Sequence, residues 1–152
     1  MSKKVLLDTN LLIAAFDAAG TTSQAKRNEA RQTIQSLLAD PDVNELLITP
    51  LIRYEVLRHP EWHSKEGYAA LQQVLDRFGE LDIQRQVSEL AANLYRFDKH
   101  DSAAKGMSRN LEKRKFDVFH LATAKAYGLE LASDDSDIGK LEKLYVAYTA
   151  VK

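Results

Sequence analysis

The stretch Lys3-Lys4-Val5-Leu6-Leu7-Asp8-Thr9-Asn10 decides the fold that we expect of this chain. Its short apolar run at residues 5–7 is typical of a strand that is buried on both faces of a parallel sheet. Asp8 follows the run directly, and open α/β sheets bind their ligands at the carboxyl ends of the strands. Asp8 and the two residues after it could equally cap a helix that begins near Leu11. Only the positions of the other carboxylates can choose between a functional aspartate and a plain helix cap.

The composition indicates a single globular domain over residues 1–152, of which 45% are hydrophobic and 28% are charged. A net charge of −1 argues against a passive nucleic-acid binder, although it does not exclude a nuclease with an acidic site. Without cysteine there is neither a disulfide framework nor a thiolate metal site. No apolar run has the length of a membrane span, so we expect a cytoplasmic protein with no membrane contact.

Hydrophobic periodicity predicts alternating strands and helices along the rest of the chain. The predicted strands cover residues 5–7, 46–49, 81–83, 129–133 and 144–148. The predicted helices cover residues 11–16, 24–39, 50–58, 64–77, 87–97 and 115–127, and the polar residues 98–110 are predicted to form turns. This order is typical of an α/β fold with a mainly parallel sheet.

Four carboxylates fall at the ends of predicted strands or the starts of predicted helices. Asp8 follows the first strand, and Asp135 follows the fourth. Glu55 lies early in the helix after the second strand, and Asp117 opens the apolar face of the last predicted helix. Strand ends and helix starts share one edge of a parallel sheet, so we expect all four side chains to converge there.

Such a cluster predicts a metal site. Carboxylates that lie close together repel one another and resist ionisation unless a cation compensates their charge. Oxygen ligands without histidine or cysteine favour Mg²⁺ or Mn²⁺ over zinc. These ions activate water and stabilise the oxygens of a phosphoryl group during its transfer.

The four segments, in this order, resemble the motifs of the PIN domain nucleases, and within that family those of the VapC-type toxins of prokaryotic toxin–antitoxin pairs. The first motif is matched by Val5-Leu6-Leu7-Asp8-Thr9-Asn10 and the third by Phe116-Asp117-Val118-Phe119-His120-Leu121-Ala122-Thr123-Ala124. Residues 48–55 resemble the second motif, and residues 131–138 resemble the fourth. The resemblance covers nearly the whole chain.

The resemblance implies a three-layer α/β/α sandwich with a mainly parallel central sheet, formed by a single PIN-like nuclease domain. It implies an endoribonuclease that depends on Mg²⁺ or Mn²⁺ and cleaves single-stranded RNA through an activated water. It also implies a cognate antitoxin, which would dock on the helices within residues 11–39 and 53–77, and a homodimer.

By the same resemblance, the four carboxylates are both the catalytic and the metal-binding residues. They are Asp8, Glu55, Asp117 and Asp135. The residues expected to hold them in place are Thr9, Asn10, Ser133 and Asp137. Asp134 and Asp137 flank Asp135 and compete with it for the fourth position.

Three basic residues are weaker candidates for contacts with RNA phosphates: Arg53, Arg114 and Lys115. A solvated helix face explains the last two equally well.

Three further residues with chemically versatile side chains are better explained by structure. His120 fits a buried core histidine better than a ligand. Trp62 and Tyr68 fit core packing or a protein interface better than base stacking.

Two other classes of protein are rival interpretations of this pattern. A phosphohydrolase with a nucleophilic aspartate requires a second carboxylate two residues after Asp8, where this chain has Asn10. A non-catalytic PIN-like scaffold that binds RNA or a protein is the other alternative, and the presence of all four carboxylates argues against it.

Overall fold

The computed structural model describes residues 3–17, 22–107, 111–133 and 138–152, with only the backbone described at residues 111 and 138. The strands in these ranges are β1 (Lys3–Leu7), β2 (Val43–Ile48), β3 (Gly79–Glu80) and β4 (Glu130–Ala132). The helices are α1 (Thr9–Phe16), α2 (Gln24–Ala39), α3 (Pro50–Leu57), α4 (Lys65–Leu75), α5 (Arg85–Ala104), α6 (Leu111–Tyr127) and α7 (Ile138–Val151).

The four strands form one parallel sheet in the order β3-β2-β1-β4. Strand β1 is central, and its Leu6 pairs with Leu47 on one side and Leu131 on the other. Val5, Leu6 and Leu7 are fully buried, as the apolar run predicts. The predicted α/β class with a parallel sheet is therefore confirmed.

Each of the two long strands leads directly into a capped helix. Asp8 separates β1 from α1, and its side chain accepts a hydrogen bond at the helix start. Thr49 separates β2 from α3, and its hydroxyl accepts the Ile52 amide at 3.2 Å. Pro50 occupies the first helical position, where its missing N–H costs nothing. These caps fix the positions at which α1 and α3 begin, and therefore the positions of the residues that follow each strand.

The described residues group into two compact units. The first comprises residues 1–82 and 129–135 and contains the sheet with helices α1 to α4. The second comprises residues 83–128 and 136–152 and contains α5, α6 and α7 around an apolar core that includes Leu94, Leu121 and Leu144. None of the described helices is long and apolar enough to cross a membrane.

Two predicted strands are wrong. The third strand is Gly79–Glu80 rather than residues 81–83, and it pairs with Leu47 and Ile48 of β2. A side chain at position 79 would meet Glu45 and Leu47, so this strand begins at a glycine that the hydrophobic pattern does not reveal. Residues 144–148 are not a strand but part of α7, in which Leu141, Leu144 and Tyr148 recur at helical spacing.

The polar segment at residues 98–110 is also more regular than predicted. Helix α5 continues to Ala104, and Gly106, with φ of 65°, follows its end. Residues 98–104 are helical because Asp98 and Ser102 continue the buried face of α5. Their polarity concealed this from the hydrophobic pattern.

Candidate active site

Asp8 is held at the carboxyl end of the central strand by contacts from three directions. Its amide donates to the Ala132 carbonyl at 2.9 Å, which extends the pairing of β1 with β4. Its Oδ1 accepts the Thr9 amide at 2.9 Å, and its Oδ2 accepts the Ser133 hydroxyl at 2.7 Å. The side chain is 8% exposed. Both carboxylate oxygens are therefore oriented before any ligand binds.

Glu55 reaches the same edge of the sheet from α3. Its Oε1 accepts the Thr9 hydroxyl at 3.0 Å, and the residue is 8% exposed. Thr9 is buried too, and it contacts Asp8 through its amide and Glu55 through its hydroxyl. One threonine thus connects two carboxylates that lie 47 positions apart in the sequence.

The chemistry of these donors suits a hard divalent cation. The hydrogen bonds described at Asp8 and Glu55 come from hydroxyls and an amide, which orient a carboxylate without removing its charge. An ionised carboxylate has about four lone-pair positions, so a carboxylate can accept hydrogen bonds and still bind a metal. Oxygen ligands of this kind match the preference of Mg²⁺ and Mn²⁺.

Of the other two predicted carboxylates, one belongs to the second unit and one lies outside the described residues. Asp117 lies half-buried on α6 in the second unit, next to the core residue Val118. Asp135 and Asp137 lie outside the described residues. Across the described ranges, no three aspartate, glutamate, histidine or cysteine side chains are grouped closely enough to hold a metal ion.

The family model of the PIN domain matches residues 5–144 of this chain, which is nearly its full length. The chain belongs to the PIN domain family. The PIN domain family is a nuclease family, and its members generally use divalent metal ions. The match and the parallel sheet together confirm the predicted PIN-like fold class.

Three solved structures with a similar fold are a toxin–antitoxin complex and two VapBC complexes. A toxin–antitoxin complex from Klebsiella pneumoniae is 24% identical, with 87% of each chain covered and a TM-score of 0.58. VapBC2 from Rickettsia felis, bound to a DNA fragment from its promoter, is 14% identical over 90% of this chain and 92% of the other, with a TM-score of 0.63. DNA-bound VapBC from Salmonella typhimurium is 13% identical over 87% and 98%, with a TM-score of 0.53. No curated protein matches the chain significantly.

The basic residues predicted to contact RNA have protein partners in this PIN domain. Arg53 donates to Glu80 at 2.8 Å and to Asp76 at 3.0 Å. Partial burial of its guanidinium lowers the pKa of Arg53, but the two carboxylates raise it by more, so the net effect is a raised pKa. Lys115 pairs with Glu112 at 2.8 Å and lies over the Phe116 ring.

Arg114 differs from the other two basic candidates because it is buried. It forms an ion pair with Asp98, a residue for which the sequence predicted no role. The spacing of Asp98 from Ala91 and Leu94 on α5 is the signal that could have identified it.

Three further predictions concern the placement of other residues. His120 is buried, as predicted for a core histidine. Trp62 is 89% exposed and Tyr68 is also exposed, so core packing does not explain either. Asn10 is exposed in the first turn of α1.

Proposed function

We propose that this PIN domain is an endoribonuclease that cleaves single-stranded RNA with Mg²⁺ or Mn²⁺, and that it is the VapC-type toxin of a toxin–antitoxin pair. The observation that carries the proposal is the buried pair of Asp8 and Glu55, joined by Thr9 at the carboxyl edge of the sheet. Burial of two acidic side chains at one edge is costly for stability, and such a cost is typical of a functional site.

In this proposal the metal is held by Asp8 and Glu55, and Asp117 and Asp135 complete the set. When bound, the ion would lower the pKa of a coordinated water and stabilise the charge on the phosphate. The support for Asp117 and Asp135 is their position in the family motifs rather than a described contact.

The remaining polar residues act by holding the carboxylates. Thr9 and Ser133 each donate a hydroxyl hydrogen bond, which fixes the orientation of the carboxylate that accepts it. We propose the same role for Asn10 and Asp137, on the ground of their positions in the family motifs. A supporting group that fixes its ligand in advance reduces the entropy lost when the ion binds.

The RNA backbone requires cations at the protein surface. Lys115 is exposed, and Arg53 is partly exposed, so both could contact phosphates by exchanging a carboxylate partner. Such exchange is inexpensive, because exposed ion pairs contribute only about 0–1 kcal/mol to stability.

A groove in the first unit supports the proposed antitoxin partner. It has a volume of about 600 Å³ and lies among α2, β2 and the end of α4. Its apolar lining is Phe16, Ile34, Leu38, Leu46, Val74 and Phe78. Its charged lining residues are Arg31, Glu45 and Arg77. We propose that an apolar antitoxin segment occupies it, as the assembly of a similar solved structure with its antitoxin suggests.

The groove can be tested with two exposed aliphatic residues. We expect a small DNA-binding protein to be encoded immediately upstream of this chain and to co-purify with it. Leu38→Asp places a charge in the groove and should abolish co-purification, whereas Val146→Asp, on α7, should not. Equal retention by the two variants would contradict the assignment of the groove.

The nuclease activity is tested by cleavage of a single-stranded RNA with Mn²⁺ and with EDTA. The purified chain should cleave only with the metal, and Asp8→Asn should be inactive while Asp82→Asn, at an exposed position, stays active. Metal-independent cleavage, or an active Asp8→Asn variant, would overturn the proposal. Absence of cleavage by the parent chain would favour the non-catalytic scaffold.

A further inference from the structure

A charged pair is buried between α5 and α6. Asp98 of α5 has no exposed surface, and Arg114 of α6 is 8% exposed. The guanidinium Nε lies 3.6 Å from Oδ2 of Asp98, a distance that indicates an ion pair without a short hydrogen bond. Both helices belong to the second unit, so the pair is an internal contact of that unit.

The two charges occupy positions that the helical repeat gives to apolar side chains. The buried residues of α5 are Val87, Ala91, Leu94, Asp98 and Ser102, at intervals of three or four. On α6, Arg114 lies four residues before Val118, which belongs to the apolar core of the unit. Asp98 and Arg114 therefore extend the buried apolar face of their helices by one turn each.

Stability alone does not explain this pair. Apolar side chains of similar volume often stabilise a core as well as a buried ion pair does, because both charges lose their hydration. In addition, Nη1 of Arg114 has no hydrogen-bond partner among the described residues. A buried pair can instead fix the register of two packed helices, because the carboxylate and the guanidinium meet at only one axial alignment of those helices.

The alignment of α6 matters because Asp117 follows Arg114 by three residues, one turn along the same helix. Of the side chains described on α6, Arg114 is the first that is buried, so it is the first to hold the N-terminal end of α6 in place. A slip by one turn would move Asp117 by about 5.4 Å. A Mg²⁺–oxygen bond is only about 2.1 Å long, so a slipped Asp117 could not reach the same ion.

We propose that the Asp98–Arg114 pair sets the register of α6 against α5 and thereby positions Asp117 for metal binding. Both are positioning residues, and Arg114 is not a contact for RNA phosphates. This inference rests on the proposed function, because it requires that Asp117 is a metal ligand. It predicts that metal affinity depends on two residues that do not touch the metal.

The test measures Mn²⁺ affinity and folding separately. Asp98→Leu/Arg114→Met replaces the pair with apolar side chains and should melt in EDTA no lower than the parent. Its Mn²⁺ dissociation constant, measured from the free-ion electron paramagnetic resonance signal, should rise about tenfold or more, as after loss of other groups that orient metal ligands.

A second pair of variants keeps the test independent of that double substitution. Asp98→Asn retains the shape of the side chain and removes its charge, and it should also weaken Mn²⁺ binding. Asp101→Asn removes the same charge one turn away on α5, where Asp101 pairs with the exposed Lys105. It should leave the Mn²⁺ dissociation constant unchanged.

Four outcomes would overturn the inference. A double variant with the parental Mn²⁺ constant would show that the pair does not position Asp117. RNA binding can also be measured in EDTA as the slope of the logarithm of the binding constant against the logarithm of the salt concentration. If that slope falls by about one in this variant while its Mn²⁺ affinity is parental, Arg114 is a phosphate contact. If Asp117→Asn itself binds Mn²⁺ like the parent, the proposed metal site is wrong and this inference falls with it. Loss of binding in Asp117→Asn but not in the double variant would refute the inference alone.

Discussion

At the scale of single residues, Asp8 serves as a helix cap and as a candidate ligand at once. Its Oδ1 accepts the Thr9 amide at the start of α1, while Oδ2 is oriented by Ser133. The two interpretations left open by the sequence are therefore compatible, because a carboxylate has two oxygens. The contact of Thr9 with Glu55 could not be predicted in detail, since the angle between α1 and α3 depends on packing.

Thr9→Val tests the connection between the two carboxylates. Valine keeps the shape of threonine but leaves a buried oxygen of Glu55 without this donor, which should lower the free energy of unfolding by about 1–3 kcal/mol. Mn²⁺ affinity should fall about tenfold. Thr33→Val is the matched control, because the Thr33 hydroxyl donates to the Glu29 carbonyl on the exposed side of α2. Urea melts and Mn²⁺ titrations that do not distinguish the two variants would contradict this role.

Asp117→Asn separates a metal ligand from a residue with only a structural role. Asp117 lies inside α6 rather than at its start, and asparagine has nearly the same shape and helix propensity as aspartate, so a structural residue there would tolerate the change. A ligand would not, and the variant should lose activity while melting no lower than the parent in EDTA. The parent should gain about 2.7 kcal/mol of stability at Mg²⁺ concentrations of 100 times the dissociation constant. The variant should lose most of that gain, and an undiminished Mg²⁺ shift would show that Asp117 is no ligand.

At the scale of elements, the sequence predicted those helices and strands whose pattern and caps agree. Strand β1, the Thr49-Pro50 start of α3 and the Ser23 cap of α2 are examples. The predicted strand at residues 144–148 failed because five apolar and aromatic residues fit either period. Only the longer repeat from Leu141 identifies α7. Asp98 was missed because a buried charge interrupts the pattern that reveals a helix face.

Thr49→Ala tests the coupling of a helix cap to the site. Loss of the hydroxyl that accepts the Ile52 amide should lower the free energy of unfolding by about 1 kcal/mol. Helix α3 also carries Glu55, so activity at limiting Mn²⁺ should fall as well. Thr49→Ser keeps the hydroxyl and should restore both properties. Thermal melts and cleavage rates in which serine behaves like alanine would contradict the role of the cap.

At the scale of the whole molecule, the order of the four motifs predicted more than any one of them. The family match over residues 5–144 confirms the PIN domain, and it spans both compact units. That residues 1–152 act as one nuclease domain stays a prediction, as does the homodimer. The motifs name the residues that we expect at the site, but the placement of Asp117 depends on helix packing that no motif records.

The toxin assignment predicts an effect on living cells. Production of the chain alone should arrest bacterial growth, because cleavage of cellular RNA stops protein synthesis. Asp8→Asn should remove the effect at an equal protein level, measured by growth curves and immunoblots. Equal toxicity of the parent and Asp8→Asn would assign the growth defect to something other than nuclease action.

The ends of the RNA products test the central claim most directly. Asp8 and Glu55 would hold an ion that supplies an activated water, and such chemistry would need neither a protein nucleophile nor the 2′-hydroxyl of RNA. The account therefore predicts fragments with a 5′-phosphate and a 3′-hydroxyl, formed with Mg²⁺ or Mn²⁺ and absent in EDTA. Mass spectrometry of the fragments distinguishes these ends from others. A 2′,3′-cyclic phosphate, or the same fragments in EDTA, would contradict a metal-dependent nuclease at Asp8 and Glu55.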